Sequence, residues 1–204
     1  MGASDTILKL PTMIKFIRFY GKIFFLSALT LCSTWSFGQS KTSFGSGNAA
    51  QCFFFSGNPS SLSDAKVCTD AIRYDDLSKR DLAATYTNRG IIRARSGKLR
   101  QALKDHNQAV RLKADLSKIY INRGTVFHRL GEYEKALVDY QKALEIGEVP
   151  IDIVQYNIAL SLEKIKKHRE ALIALEIALS YNPNSPKVRE KIKTISSSIN
   201  NKQW

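Results

Sequence analysis

Tyr120 to Ile146 reads YINRGTVFHRLGEYEKALVDYQKALEI. Thirty-four residues earlier, Tyr86 to Leu112 reads YTNRGIIRARSGKLRQALKDHNQAVRL. Tyr, Asn, Arg, Gly, Gly, Ala, Leu, Asp and Ala recur at the same offsets. Agreement at one fixed spacing implies a supersecondary unit that stacks on copies of itself, because such a unit cannot bury its apolar face alone. The first unit runs from 83 to 116 and the second from 117 to 150. A third, displaced by one residue in IGEVPID, runs from 152 to 185.

Each unit divides at its midpoint into two helical patterns. Gly97 and Gly131 fall at the helix–helix turn, where a left-handed residue is wanted. Lys166 stands in the glycine's place in the third unit, which predicts a turn of different shape. Asn182 to Pro186 closes the last unit. The following SPKVREKIKTISSSI, polar on one side, predicts a terminal capping helix within 186–204.

Counted within each unit, the pattern places Tyr120, Arg123, Gly124, Phe127, Ala136, Tyr140 and Ala143 in the second. The first has Tyr86, Arg89, Gly90, Ala102 and Ala109, with Arg93 and His106 where the second has Phe127 and Tyr140. The third has Ile158, Ala159, Ala171, Leu175, Ala178 and Pro183. This arrangement of small and aromatic residues resembles the tetratricopeptide repeat. The resemblance covers 83–185 and implies an all-α fold: a right-handed superhelix of about three helix pairs, with an N-terminal helix and a C-terminal capping helix. Small residues let the paired helices approach, and large ones fill the holes between units.

One coincidence stands apart from the family pattern. Arg89 and Arg123 occupy the seventh residue of their units, and Asp105 and Asp139 the twenty-third. In the third unit both change together, to Ile158 and Ala174. Paired change predicts that each Arg meets an Asp on a neighbouring second helix.

The resemblance also implies a concave working face, lined by the first helix of each pair. The fifth residues there are Thr87, Ile121 and Tyr156, and the ninth are Ile91, Thr125 and Leu160. The thirteenth are Arg95, Arg129 and Lys164. An apolar strip beside three cations suits an extended protein or peptide segment carrying apolar and acidic residues. Ile91, Ile121, Tyr156 and Leu160 are thus candidates for burial, and Arg95, Arg129 and Lys164 for orientation. No catalytic constellation, phosphate-binding loop or metal motif is present in the sequence, so neither a cofactor nor an enzyme activity is expected. His106 reads as a packing residue, His128 as facing groove or solvent, and His168 as solvated.

Ahead of the repeats, Lys15, Arg18 and Lys22 precede a nine-residue apolar run, Ile23 to Leu31. Ser36 and Gly38 stand at −3 and −1 of a cleavage before Gln39. This is the layout of an export signal over 1–38, with Met13 as a possible start. The alternative, an uncleaved anchor, conflicts with a run shorter than the roughly 20 residues of a spanning helix. Cleavage removes Lys9, Lys15, Arg18, Lys22 and Asp5. It takes the formal charge from +13 to 27 basic against 17 acidic side chains, or +10. In an exported protein that balance points away from nucleic acid and towards an acidic protein. The second reading is a basic protein that adheres to anionic envelope lipid or glycan. Cys52 and Cys68 form an even pair in such a chain and predict a disulfide, two buried thiols being the alternative. Residues 39–51 read as a flexible linker, 52–82 as a strap followed by a helix from Ser63 to Tyr74, and some of Phe53, Phe54 and Phe55 as a cover for the open end of the first helices.

Overall fold

The computed structural model describes residues 47–58 and 65–200, and among these every regular element is an α-helix. The expected export signal over 1–38 and the possible start at Met13 lie outside the described residues. No described helix is long and apolar enough to cross a membrane.

The three units fold as three helix pairs. α3 (Lys79–Arg95) packs on α4 (Leu99–Leu112), α5 (Ser117–Leu130) on α6 (Tyr133–Ile146), and α7 (Ile151–Lys164) on α8 (His168–Tyr181). The second helix of each pair then meets the first helix of the next, α4 on α5 and α6 on α7. α9 (Pro186–Asn200) closes the stack on α8. The first helices also touch one another, α3 to α5 and α5 to α7, whereas α4, α6 and α8 make no comparable contacts among themselves. Closer approach on one side than the other curves the stack into a superhelix with the first helices inside.

Close approach inside a pair depends on small residues. A Cβ at Gly90 would lie 2.6 Å from the His106 ring, and one at Gly124 would lie 2.7 Å from the Tyr140 ring. Ala102, Ala109, Ala136, Ala143, Ala171 and Ala178 are fully buried. Gly97 (φ 75°) and Gly131 (φ 81°) take the left-handed conformation at the turns. Lys166 takes it too, at φ 63°. The expected difference in turn shape is therefore absent, and a side-chain-bearing residue carries the strain instead.

α3 starts four residues before the expected unit boundary. Ser78 caps it: its hydroxyl accepts from the Asp81 amide (3.1 Å) and donates to the Asp81 carboxylate (2.6 Å).

The N-terminal part departs most from expectation. Residues 48–51, read as the end of a linker, form the first turn of α1 (Asn48–Gly57), and Cys52 continues that helix rather than a strap. The predicted helix from Ser63 is α2 (Lys66–Tyr74). A Cys52–Cys68 disulfide joins the two, with both residues fully buried. Asp75, just past α2, accepts from Asn48 Nδ2 (3.0 Å) and from the Ala49 amide (2.9 Å) at the start of α1. A carboxylate at a helix N-terminus satisfies otherwise orphaned donors there. Of the three phenylalanines, Phe55 packs beside the disulfide and Ile92, while Phe53 and Phe54 are exposed. Phe55 thus supplies cover of the kind expected, over Ile92 of α3.

Candidate functional site

The Arg–Asp pairs predicted from their paired change are present, each within its own unit. Arg123 grips Asp139 with both arms, Nε to Oδ2 and Nη2 to Oδ1 at 2.7 Å each. Hydrogen bonding to Asp139 holds the guanidinium pKa above its usual value, against the opposing effect of burial. Arg89 binds Asp105 through Nη2 (2.8 Å) and Nε, and Arg93 adds a second cation to the same carboxylate at 2.7 Å. Arg93, in a slot that is aromatic in the second unit, thus gives Asp105, only 2% exposed, a second cation. Each main Arg also reaches back one pair. Arg123 Nη1 donates to Asn107 Oδ1 (3.0 Å) on α4, and Arg89 Nη1 donates to Thr69 Oγ1 (3.1 Å) on α2.

The inner face carries the cations that the sequence singles out, but two are already engaged. Arg129 Nη1 donates to the Ala94 carbonyl (2.7 Å) at the end of α3. Arg95 donates to the carbonyls of Phe55, Ser56 and Asn58 at the end of α1, the last at 2.7 Å. Both guanidinium groups thus meet the negative end of the preceding inner helix, where carbonyls lack helical partners. Both side chains nevertheless remain exposed, as does Lys164.

The apolar candidates lie deeper than the sequence implies. Tyr156 is only 9% exposed and Leu160 is half-buried. Both belong to the core that α9 closes with Val188 and Ile195. The face of the Tyr156 ring is covered by Lys187 Nζ, 4.1 Å from its centroid. Burial raises the Tyr156 phenol pKa above its ordinary value. Ile121 packs against Ala136, Tyr140 and Val154, and Ile91 is half-buried.

Sequence reasoning missed two groups and left a third open between groove and solvent. Lys187 and Lys191 come from α9, and Lys191 reaches Glu163 at 3.3 Å. Counting one more period past the third unit would have placed α9 as a further inner helix. His128 is the third. Its Nδ1 lies 2.9 Å from Ser161 Oγ. The buried Ser161 hydroxyl donates to the Asn157 carbonyl (3.1 Å), so His128 Nδ1 is the donor to Ser161. The pair is a strut between α5 and α7, since a serine so buried and so committed is no nucleophile. Burial first, and then the Lys164 charge, lower the His128 pKa. Among the described residues, no three metal-ligating side chains come together.

Residues 117–147 match the family model of the tetratricopeptide repeat. No curated protein matches the chain. Solved structures share the fold. MamA from Desulfovibrio magneticus RS-1 aligns with a TM-score of 0.63 at 14% identity, over 75% of this chain and 86% of that one. YrrB, a tetratricopeptide-repeat protein with an unusual peptide-binding site, aligns at 0.56 and 24% identity, over 65% and 66%. The second such domain of human RPAP3, in complex with the HSP70 peptide SGPTIEEVD, aligns at 0.55 and 17%, over 58% and 98%.

Proposed function

We propose that this chain, a tetratricopeptide-repeat protein, is a protein-interaction module that holds an extended acidic and apolar partner segment along its inner face. The observation that carries this reading is the file of exposed cations on successive inner helices: Arg95 on α3, Arg129 on α5 and Lys164 on α7, followed by Lys187 on α9. Two of them are held in place by helix-end carbonyls, which lowers the ordering cost of meeting a carboxylate. Proteins of the same fold lend support, one in complex with a peptide and one with a peptide-binding site. Ile91 and the exposed edges of Ile121, Tyr156 and Leu160 contribute apolar contact beside the charges.

Export of the mature chain from Gln39 into the periplasm or the medium belongs to the same proposal, motivated by the signal-like layout of 1–38. N-terminal sequencing of the secreted product is expected to begin at Gln39, and an intact N-terminus refutes it.

The binding test is selection of a displayed random peptide library on the immobilised protein. Enriched peptides are expected to carry acidic residues and to bind Lys164→Glu at least about tenfold more weakly, with unchanged helicity. Peptides indifferent to Lys164→Glu, or no enrichment at all, overturn the reading. Adhesion to anionic lipid or glycan predicts a different result: binding to acidic vesicles that fades smoothly with salt and shows no peptide preference.

A further inference from the structure

The disulfide lies where the other helix pairs place their closest contact. Gly90 faces His106, Gly124 faces Tyr140, and Ala159 and Leu175 share one core; in each case the second residue follows the first by the same interval. Cys52 and Cys68 have that interval too, 16 residues. The rest of the register agrees. Thr69 follows Cys68 as Asn107 follows His106, and these are the two residues that Arg89 and Arg123 reach back to. Ser56 lies four residues after Cys52, as Ala94 does after Gly90, and their carbonyls receive Arg95 and Arg129. Ala71, fully buried, stands to Cys68 as Ala109 stands to His106 and Ala143 to Tyr140.

We propose that α1 and α2 are a fourth unit of the stack, docked by its disulfide, and that reduction of this bond releases α1 from α3 and shortens the inner face by one helix. The two helices have 10 and 9 residues, against 14 for each helix of the second and third pairs, and bury correspondingly little. The slot filled elsewhere by His106, Tyr140 or Leu175 holds only a cysteine side chain, so the covalent bond does what a large side chain does in the other units. Besides the disulfide and the packing of Phe55 on Ile92, α1 has ties to Asp75 and Arg95, which are hydrogen bonds at partly or fully exposed positions, each worth little net. Both sulfurs are fully buried, so attack follows local opening. A dithiol then reduces the pair by way of a mixed disulfide. The dithiol closes to its own disulfide, and Cys52 and Cys68 each gain an electron and a proton. The consequence for a bound segment rests on the proposed peptide-binding role; the docking itself does not.

Hydrogen exchange of the full chain, carrying Cys32→Ser to remove the third thiol, tests this without a ligand. Four samples are compared: oxidised, reduced with dithiothreitol, Cys52→Ala/Cys68→Ala, and Cys52→Ala/Cys68→Leu. The last recreates the Ala159–Leu175 pairing. Reduction and the double-alanine variant are expected to speed exchange in α1 and α2 by about a hundredfold, leaving α5 to α8 unchanged. The alanine–leucine variant is expected to regain at least about tenfold of that protection, with or without dithiothreitol. Wild-type protection in the double-alanine variant overturns the proposal. So does an alanine–leucine variant that exchanges as fast as the double-alanine one, or a loss of protection spread equally over α5 to α8.

Discussion

His106 makes the fold acid-sensitive through one buried ring. It is fully buried against Gly90, and neither ring nitrogen has a hydrogen-bond partner. Burial, with the Arg123 charge as a second cause, lowers its pKa from 6.5 to about 4. The folded protein therefore keeps the ring neutral where the unfolded chain takes up a proton. Stability from this site is fully present above pH 6.5 and is lost as the pH falls towards 4. At 1.36 kcal/mol per tenfold, the whole difference is about 3 kcal/mol, of which about 2 kcal/mol is lost between pH 7.5 and pH 5.

Urea unfolding at several pH values over that range reads this directly, with His106→Leu as the reference. Leucine is what the third unit places in the same slot, at Leu175. It does not titrate, and other groups, including His128, are common to both proteins. The wild type is expected to lose about 2 kcal/mol more than His106→Leu between pH 7.5 and 5, whatever their absolute stabilities. Equal losses in the two proteins, or a ring that titrates near 6.5 by NMR, refute the reasoning.

Four further outcomes follow from the packing. A double-mutant cycle on Arg123→Ala and Asp139→Ala should give a coupling above about 1 kcal/mol by denaturant melts, because either single change leaves a largely buried charge unmet. Gly124→Ala should cost about 1–3 kcal/mol in the same assay, since the added Cβ meets the Tyr140 ring at 2.7 Å and the Ala136 carbonyl at 3.2 Å. Lys166→Gly should raise stability by roughly 1 kcal/mol by relieving a left-handed lysine, whereas Gly131→Ala should lower it by a similar amount. Arg129→Ala should lower the melting temperature by a few degrees through loss of its bond to the Ala94 carbonyl, and Arg129→Lys should restore little of it.

The central three pairs were legible because their constraints are local and repeated. A glycine or alanine facing a large residue sixteen positions on, and buried alanines in each second helix, recur at the same offsets in 83–185. The first pair was not legible because its diagnostic residues are replaced. Cys52 stands for the glycine, Cys68 stands for the aromatic ring, and the extra residues before α3 break the phase. Residues 48–51 look like linker because they follow the Ser- and Gly-rich run QSKTSFGSG, although Ala49, Ala50 and Gln51 themselves favour a helix. Asp75 and the disulfide, both distant in sequence, hold them in one. The cations of the inner face could be listed from their spacing. Which of them are tied to helix ends could not, because those ties run between units. The cover that Lys187 places on Tyr156 arises only once α9 docks.

The polar and apolar contacts divide the work of stacking. Along the first two units, Thr69–Arg89–Asp105 and Asn107–Arg123–Asp139 run from one pair into the next, so each Arg is satisfied only when the correct neighbour sits at the correct height. A slip of one turn would strand a charge inside, at a cost well beyond that of a misplaced methyl group. Apolar contacts supply most of the burial but tolerate such slips better. The third unit lacks such a gauge. Ile158 and Ala174 replace the Arg and Asp; Ile158 packs back against Ala136 and Tyr140 of the second unit, and both join an oily core with Val188 and Ile195. Polar ties thus set the height of the first two junctions, whereas the junction of the second and third units and the seat of the final helix rest on apolar packing.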